Sequence, residues 1–144
     1  MVEARDDLTG YPEATIVTST KSAPVAAFVR NQILLRWGWP MVVLVNGGSE
    51  FEGDLIALLE NLGIKRVVIS PYNSRANGLN ERRHFSIASA LAKLCKGKTV
   101  GWQKWLPYVL HADRTSVRES HGKTSFFLAH GFNPTSEFEV DHPS

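Results

Sequence analysis

Strand-like and helix-like pieces alternate along this chain, cut apart by turn residues, and that order limits the fold more than any other feature. Glu13 to Ser19 is rich in β-branched residues and reads as a strand after a turn at Gly10. From Pro24 to Trp37, Val25, Phe28, Val29, Ile33 and Trp37 recur at helical spacing, with Ser22 as N-cap and Gly38 as stop. Met41 to Val45 is a continuous apolar run, the pattern of a strand buried on both faces. Phe51 to Leu62 is helical, with Leu55, Leu58, Leu59 and Leu62 on one face and Gly63 closing it; Val67 to Ile69 reads as another buried strand. Ser70 to Gly78 is a loop, and a helix from about Leu79 to Leu94 carries Phe85, Ala88, Leu91, Ala92 and Cys95 on one stripe. Trp102 to about Val117 is helical, and Phe126-Phe127-Leu128 is a short apolar turn. The expectation is an α/β layer fold.

Composition narrows the function classes. The chain has 144 residues, one ordinary domain, and its 43% hydrophobic content is enough for a core. No apolar stretch approaches the ~18 residues of a membrane span, and the polar start at Met1-Val2-Glu3 does not resemble a signal peptide. The expected location is therefore nuclear or cytoplasmic rather than secreted. Cys95 is the only cysteine, which excludes an internal disulfide and a Cys-based zinc site. His111, His121, His130 and His142 show no metal-ligand spacing and read as surface or structural residues. Trp37, Trp39, Trp102 and Trp105 read chiefly as core, and Cys95 as a buried small apolar residue.

Net charge is +2, but it is unevenly distributed. Lys65 to Lys104 holds nine Lys or Arg against Glu81 alone, a local +8, so the rest of the chain carries −6. A basic middle between acidic flanks suits a polyanion-binding face.

Two segments carry the chemistry. In Leu44-Val45-Asn46-Gly47-Gly48-Ser49-Glu50-Phe51 a strand runs into a Gly-rich turn and then a helix. In Ser70-Pro71-Tyr72-Asn73-Ser74-Arg75-Ala76-Asn77-Gly78-Leu79-Asn80-Glu81-Arg82 a loop delivers one carboxylate onto the first turn of a helix. Ligands of α/β sheets collect at the carboxyl ends of strands, where Asn46 falls. Glu81 heads the stripe of Phe85, Ala88, Ala92 and Cys95, and a core-facing acid is costly unless a donor or metal answers it.

The order of these motifs resembles the integrase catalytic core of retroviruses and gypsy-class LTR retrotransposons, with fungal elements nearest in appearance. Trp102-Gln103-Lys104-Trp105-Leu106-Pro107 and the run from Ser120 to Gly131 are similar to two further signatures of that family, with Ser125 where proline is usual. Asp7-Leu8-Thr9-Gly10-Tyr11-Pro12 is similar to its turn between the second and third strands.

The resemblance implies a ribonuclease-H-like fold, a central mixed sheet flanked by helices, here lacking its first strand. It implies residues 1–132 as a truncated core and 133–144 as a poorly ordered tail. It also implies DNA strand transfer with Mg²⁺ (or Mn²⁺) held by Asp, Asp and Glu, hard oxygen ligands for a hard ion. Glu81 matches the final Glu, and Asn46 stands at the second Asp. The first Asp belongs on a strand ahead of Val2. Asp6 and Asp7 sit on a neighbouring strand, where at most one faces Glu81, and turn chemistry is their ordinary use.

A neutral amide in place of a carboxylate points to a catalytically degenerate core. Catalytic and metal roles would rest on Glu81 and Asn46, and nucleic-acid binding on Arg75, Asn77, Arg82, Arg83 and His84. The expected partners are DNA, with RNA as a further possibility, and a second copy or higher oligomer, Trp102 and Trp105 being candidates for the dimer face; no membrane is expected. The alternatives are an active polynucleotidyl transferase whose missing Asp comes from upstream, or a non-catalytic, host-adopted binding or dimerisation module.

Overall fold

The computed structural model describes residues 1–69, 86–98, 100–119 and 121–135. Glu81, Arg75, Asn77, Arg82, Arg83, His84, the 70–78 loop, the first half of the helix expected from Leu79, His142 and the tail from 136 onward lie outside them. The described residues divide into two compact units, one of residues 1–2 and 14–69 and the other of residues 3–13 and 86–135.

In the first unit, α1 (Ser22–Phe28), a π-helical stretch (Val29–Leu34) and α2 (Leu35–Trp37) form one continuous helical run. It ends at Gly38, whose φ of 92° suits glycine alone. Val25, Phe28, Val29 and Leu34 bury the inner face. α1 packs on α3 (Gly53–Asn61), which contributes Leu55 and Leu59, both essentially inaccessible to water. Ser22 does not cap its own helix. Its hydroxyl accepts from the Asp54 N–H at 3.2 Å and donates to the Asp54 carboxylate at 2.5 Å, so it serves the first turn of α3 instead.

β3 (Val42–Val45) and β4 (Lys65–Val68) pair in parallel, Val42 opposite Lys65 and Val45 opposite Val68. The expected burial on both faces does not hold. Val45 is buried, but Val42 is 43% and Leu44 53% exposed, and neither end of β4 is buried. Alternation along β3 puts Val43 and Val45 on one face and Val42 and Leu44 on the other. Arg66 reaches across to the Phe51 carbonyl and the Glu52 carboxylate, tying β4 to the segment leading into α3.

The second unit is built on α4 (Ile87–Leu94), a 3₁₀ turn (Trp102–Trp105), α5 (Leu106–Thr115), the short antiparallel pair β5 (Val117–Arg118) and β6 (Lys123–Thr124), and α6 (Ser125–His130). β1 (Val2–Arg5) and β2 (Pro12–Thr15) form a two-stranded sheet, and most of that hairpin belongs here. α4 starts at Ser86, whose hydroxyl accepts from the Ser89 N–H at 3.2 Å. It buries Ile87 and Leu91 against α5, where Leu106, Val109 and Leu110 face inward.

The expected stripe of Ala88 and Ala92 is wrong, since both are exposed and Ile87 and Leu91 take the core positions. The larger side chains remove more apolar surface from water, so they decide the helix's rotation. Phe126-Phe127-Leu128 is likewise no mere turn. It is the body of α6, opened by Thr124 accepting from the Phe127 N–H at 2.9 Å and closed by Gly131 at φ 83°. Trp37 and Trp39 are exposed rather than core, Trp102 and Trp105 are half-buried, and so is Cys95.

Candidate functional site

Asn46 follows the last residue of β3 and is exposed at the carboxyl end of that strand, where an α/β sheet gathers its ligands. Its Oδ1 accepts from the Gly48 N–H at 3.1 Å, which curls the side chain over Gly47. The chain then enters a 3₁₀ turn (Ser49–Phe51), closed by the Phe51 N–H on the Gly48 carbonyl at 3.1 Å. The Glu50 carboxylate lies over Gly48, where any Cβ would collide with it. Asn46 thus brings no charge to the strand end, and its oxygen serves its own turn.

Asp6 takes the turn role. Its Oδ2 accepts from the Thr9 N–H at 2.8 Å and the Thr9 hydroxyl at 2.7 Å, while its carbonyl accepts from the Gly10 N–H at 2.8 Å. Asp7 is exposed in that same turn. Among the described residues no three His, Cys, Asp or Glu gather as a metal-binding group.

The basic segment behaves unevenly. Arg66 is committed to Phe51 and Glu52. Lys93, Lys96 and Lys98 are exposed around the C-terminus of α4, where cations also meet the negative end of the helix dipole. Lys104 lies over the Trp105 ring at 5.2 Å, and Trp105 contacts Tyr108 at 6.0 Å. His111 and His121 are exposed, and His130 stacks on Phe126 at 4.2 Å.

A polar hub in the second unit has no signature in the sequence. Asp113 is 1% exposed and faces two arginines, Arg118 Nη2 at 2.9 Å on Oδ1 and Arg5 Nη2 at 2.8 Å on Oδ2. The second contact is an ion pair without hydrogen-bond alignment. Arg118 also donates to the Gly10 carbonyl at 3.0 Å and to the Ser125 hydroxyl at 2.6 Å. Burial pulls the Arg118 pKa below the usual arginine value; Asp113 opposes that shift and Arg5 adds to it. Beside this hub, Arg114 pairs with the buried Glu13 at 2.7 Å, donates twice to the Pro12 carbonyl, and covers the Tyr11 ring at 4.8 Å.

The chain has the ribonuclease-H-like fold of integrase catalytic cores. The likeness is measurable against solved structures. The catalytic core domain of bovine immunodeficiency virus (BIV) integrase superposes with a TM-score of 0.68 at 22% identity, covering 97% of this chain and 86% of that one. A chain of the simian T-cell lymphotropic virus intasome, solved in complex with the PP2A regulatory subunit B56 gamma, gives a TM-score of 0.71 at 19% identity over 92% of this chain and 50% of that one. The HTLV-2 integrase catalytic core domain, solved with magnesium in a trimeric form, gives 0.64 at 18% identity over 89% and 82%. In sequence, the chain is similar to the retrovirus-related Pol polyprotein from transposon 412 of Drosophila melanogaster, 22% identical over 126 residues. That match takes in 87% of this chain and spans 10% of the polyprotein's length. No protein-family model matches the chain.

Proposed function

We propose that this chain is the catalytic-core-like domain of a retrotransposon integrase that binds DNA but does not join it. The observation that carries the reading is Asn46: a neutral amide stands at the carboxyl end of β3, and its oxygen is held by the Gly48 N–H. Two divalent cations at such a site need anionic oxygens to offset their charge, and an amide supplies none. Asn46 therefore contributes no charge toward a magnesium pair, and no catalytic step is assigned to this chain.

DNA binding needs less, because phosphate contacts require only positive charge. Lys93, Lys96, Lys98 and Lys104 offer exposed charge in the second unit, and Arg75, Arg82, Arg83, His84 and Asn77 add to it in the sequence. RNA is the second candidate polyanion. The transposon relative favours a mobile-element origin, and with it a nuclear place of action. Association of copies is supported by the intasome and trimeric forms of the structural relatives, and by exposed Val100, Tyr108 and Leu94. No helix among the described residues is long and apolar enough to cross a membrane.

A nicking and strand-transfer assay on the purified chain, with Mg²⁺ and then Mn²⁺, tests the central statement. The expected result is no product above the level of Glu81→Gln protein. Metal-dependent product from the unaltered chain that disappears in Glu81→Gln would overturn it.

A further inference from the structure

We propose that Asn46 is a site of spontaneous deamidation, through which the amide at the end of β3 becomes a carboxylate. Three observations converge on the Asn46–Gly47 peptide. Asn46 is exposed and lies just beyond the strand ladder. Its Oδ1 accepts from the Gly48 N–H at 3.1 Å, a bond that spans the Gly47 residue and draws electron density away from the side-chain carbonyl carbon. Gly47 is itself exposed, nothing lies within 4 Å of the place its Cβ would occupy, and its N–H donates to no group among the described residues.

The reaction needs only water. The Gly47 nitrogen gives up its proton to solvent and attacks the Asn46 carbonyl carbon. The bond from that carbon to Nδ2 breaks, ammonia leaves, and a five-membered succinimide closes. Water then opens the ring at one carbonyl to give aspartate, or at the other to give isoaspartate, whose main chain runs through the former side chain. Water enters and ammonia leaves, so the product is one dalton heavier and carries one more negative charge.

Among the described residues the other asparagines are less suited, and the second Asn-Gly pair of the sequence, Asn77-Gly78, lies outside them. Asn31 and Asn61 are in helical segments and precede Gln32 and Leu62, whose side chains crowd the attacking nitrogen. Asn133 precedes Pro134, which has no N–H to lose. The product faces a nearby charge, since the Glu50 carboxylate packs over Gly48 in the same turn. On the integrase reading the change returns an acid to the strand end, but the chemistry itself does not depend on that reading.

The test is to age the purified protein at physiological temperature, at mildly acidic and mildly alkaline pH, and map the tryptic peptide Trp37–Lys65 by tandem mass spectrometry. The expected result is a one-dalton gain at Asn46, faster at alkaline pH, split into two separable forms, one of them a substrate for isoaspartyl methyltransferase. Gly47→Ala should slow the gain roughly tenfold or more, because a Cβ hinders the nitrogen while the open space around Gly47 accepts it without strain. A folded chain that stays unmodified while a synthetic peptide of residues 42–52 converts would overturn the proposal, as would an equal rate in Gly47→Ala. Neither outcome bears on the nicking assay, so the two readings fail separately.

Discussion

Ser125 stands where integrase cores usually carry proline, and its surroundings account for the difference. It is fully buried, and its hydroxyl accepts from Arg118 Nε at 2.6 Å. It is also the first residue of α6, where the missing N–H of a proline would cost the helix nothing. Ser125→Pro is therefore expected to destabilise through Arg118 rather than the backbone, by ~1–3 kcal/mol for a buried donor left without its acceptor. Ser125→Ala should lose a similar amount, and urea midpoints of the two variants would check this. A proline variant far less stable than the alanine variant would place the cost in the backbone instead. Asp113→Ala removes the carboxylate between Arg5 and Arg118, and the loss of one partner from a buried ion pair predicts ~3–5 kcal/mol by the same measurement. The place of Asn46 at a strand end was legible in the sequence because the motif around it is local, six consecutive residues from strand to helix. Asp113 was not, since its worth depends on Arg5 at the far end of the chain, and no periodicity links residues that distant. The same holds for Arg114 and Pro12, 102 positions apart.

At the level of elements, what sequence periodicity conveyed was the order of strands and helices; what it missed was which face they bury. The helical run ending at Gly38, the helix before Gly63 and the strand from Met41 all fall close to where turn residues and apolar spacing put them. The faces depended on size: Ile87 and Leu91 displaced Ala88 and Ala92 from the core of α4. β3 differs because its apolar run continues onto an uncovered face. The Lys65 N–H donates to the Met41 carbonyl and the Ile69 N–H to the Val45 carbonyl, so alternate residues face β4. Val42 and Leu44 turn their main-chain groups the other way, where no described strand pairs with them, and their side chains are exposed as well. An uncharged, unpaired edge of this kind is a template for strand addition. Leu44→Lys is expected to lower concentration-dependent association, read as the sedimentation profile across a dilution series, while leaving the circular dichroism spectrum unchanged. Unaltered association in that variant would move the contact elsewhere, with Tyr108 the next position to change.

At the scale of the whole molecule, the informative quantity is the distribution of charge rather than its total. A net charge of +2 predicts little affinity for a polyanion, whereas a segment of +8 between acidic flanks predicts a localised contact. The two predictions separate in salt. Each phosphate neutralised adds about 0.9 to the slope of log affinity against log salt for duplex DNA. Lys93, Lys96 and Lys98 are exposed at one helix end, free of the ion pairs that hold Arg66, Arg114 and Arg118. Replacing all three by alanine should reduce that slope by up to about 2.7 if each meets a phosphate, with little change in thermal stability because none of them packs in the core. Glu13→Gln offers the contrasting case: it releases Arg114 from a buried pair, so it should destabilise the fold and leave the salt slope unchanged. Fluorescence anisotropy of a labelled duplex across a salt titration measures both, and the same titration with an RNA of equal length distinguishes the two polyanions. A slope near zero for the unaltered chain would mean that the basic segment is only a solvated surface, and DNA binding would fall while the fold stood.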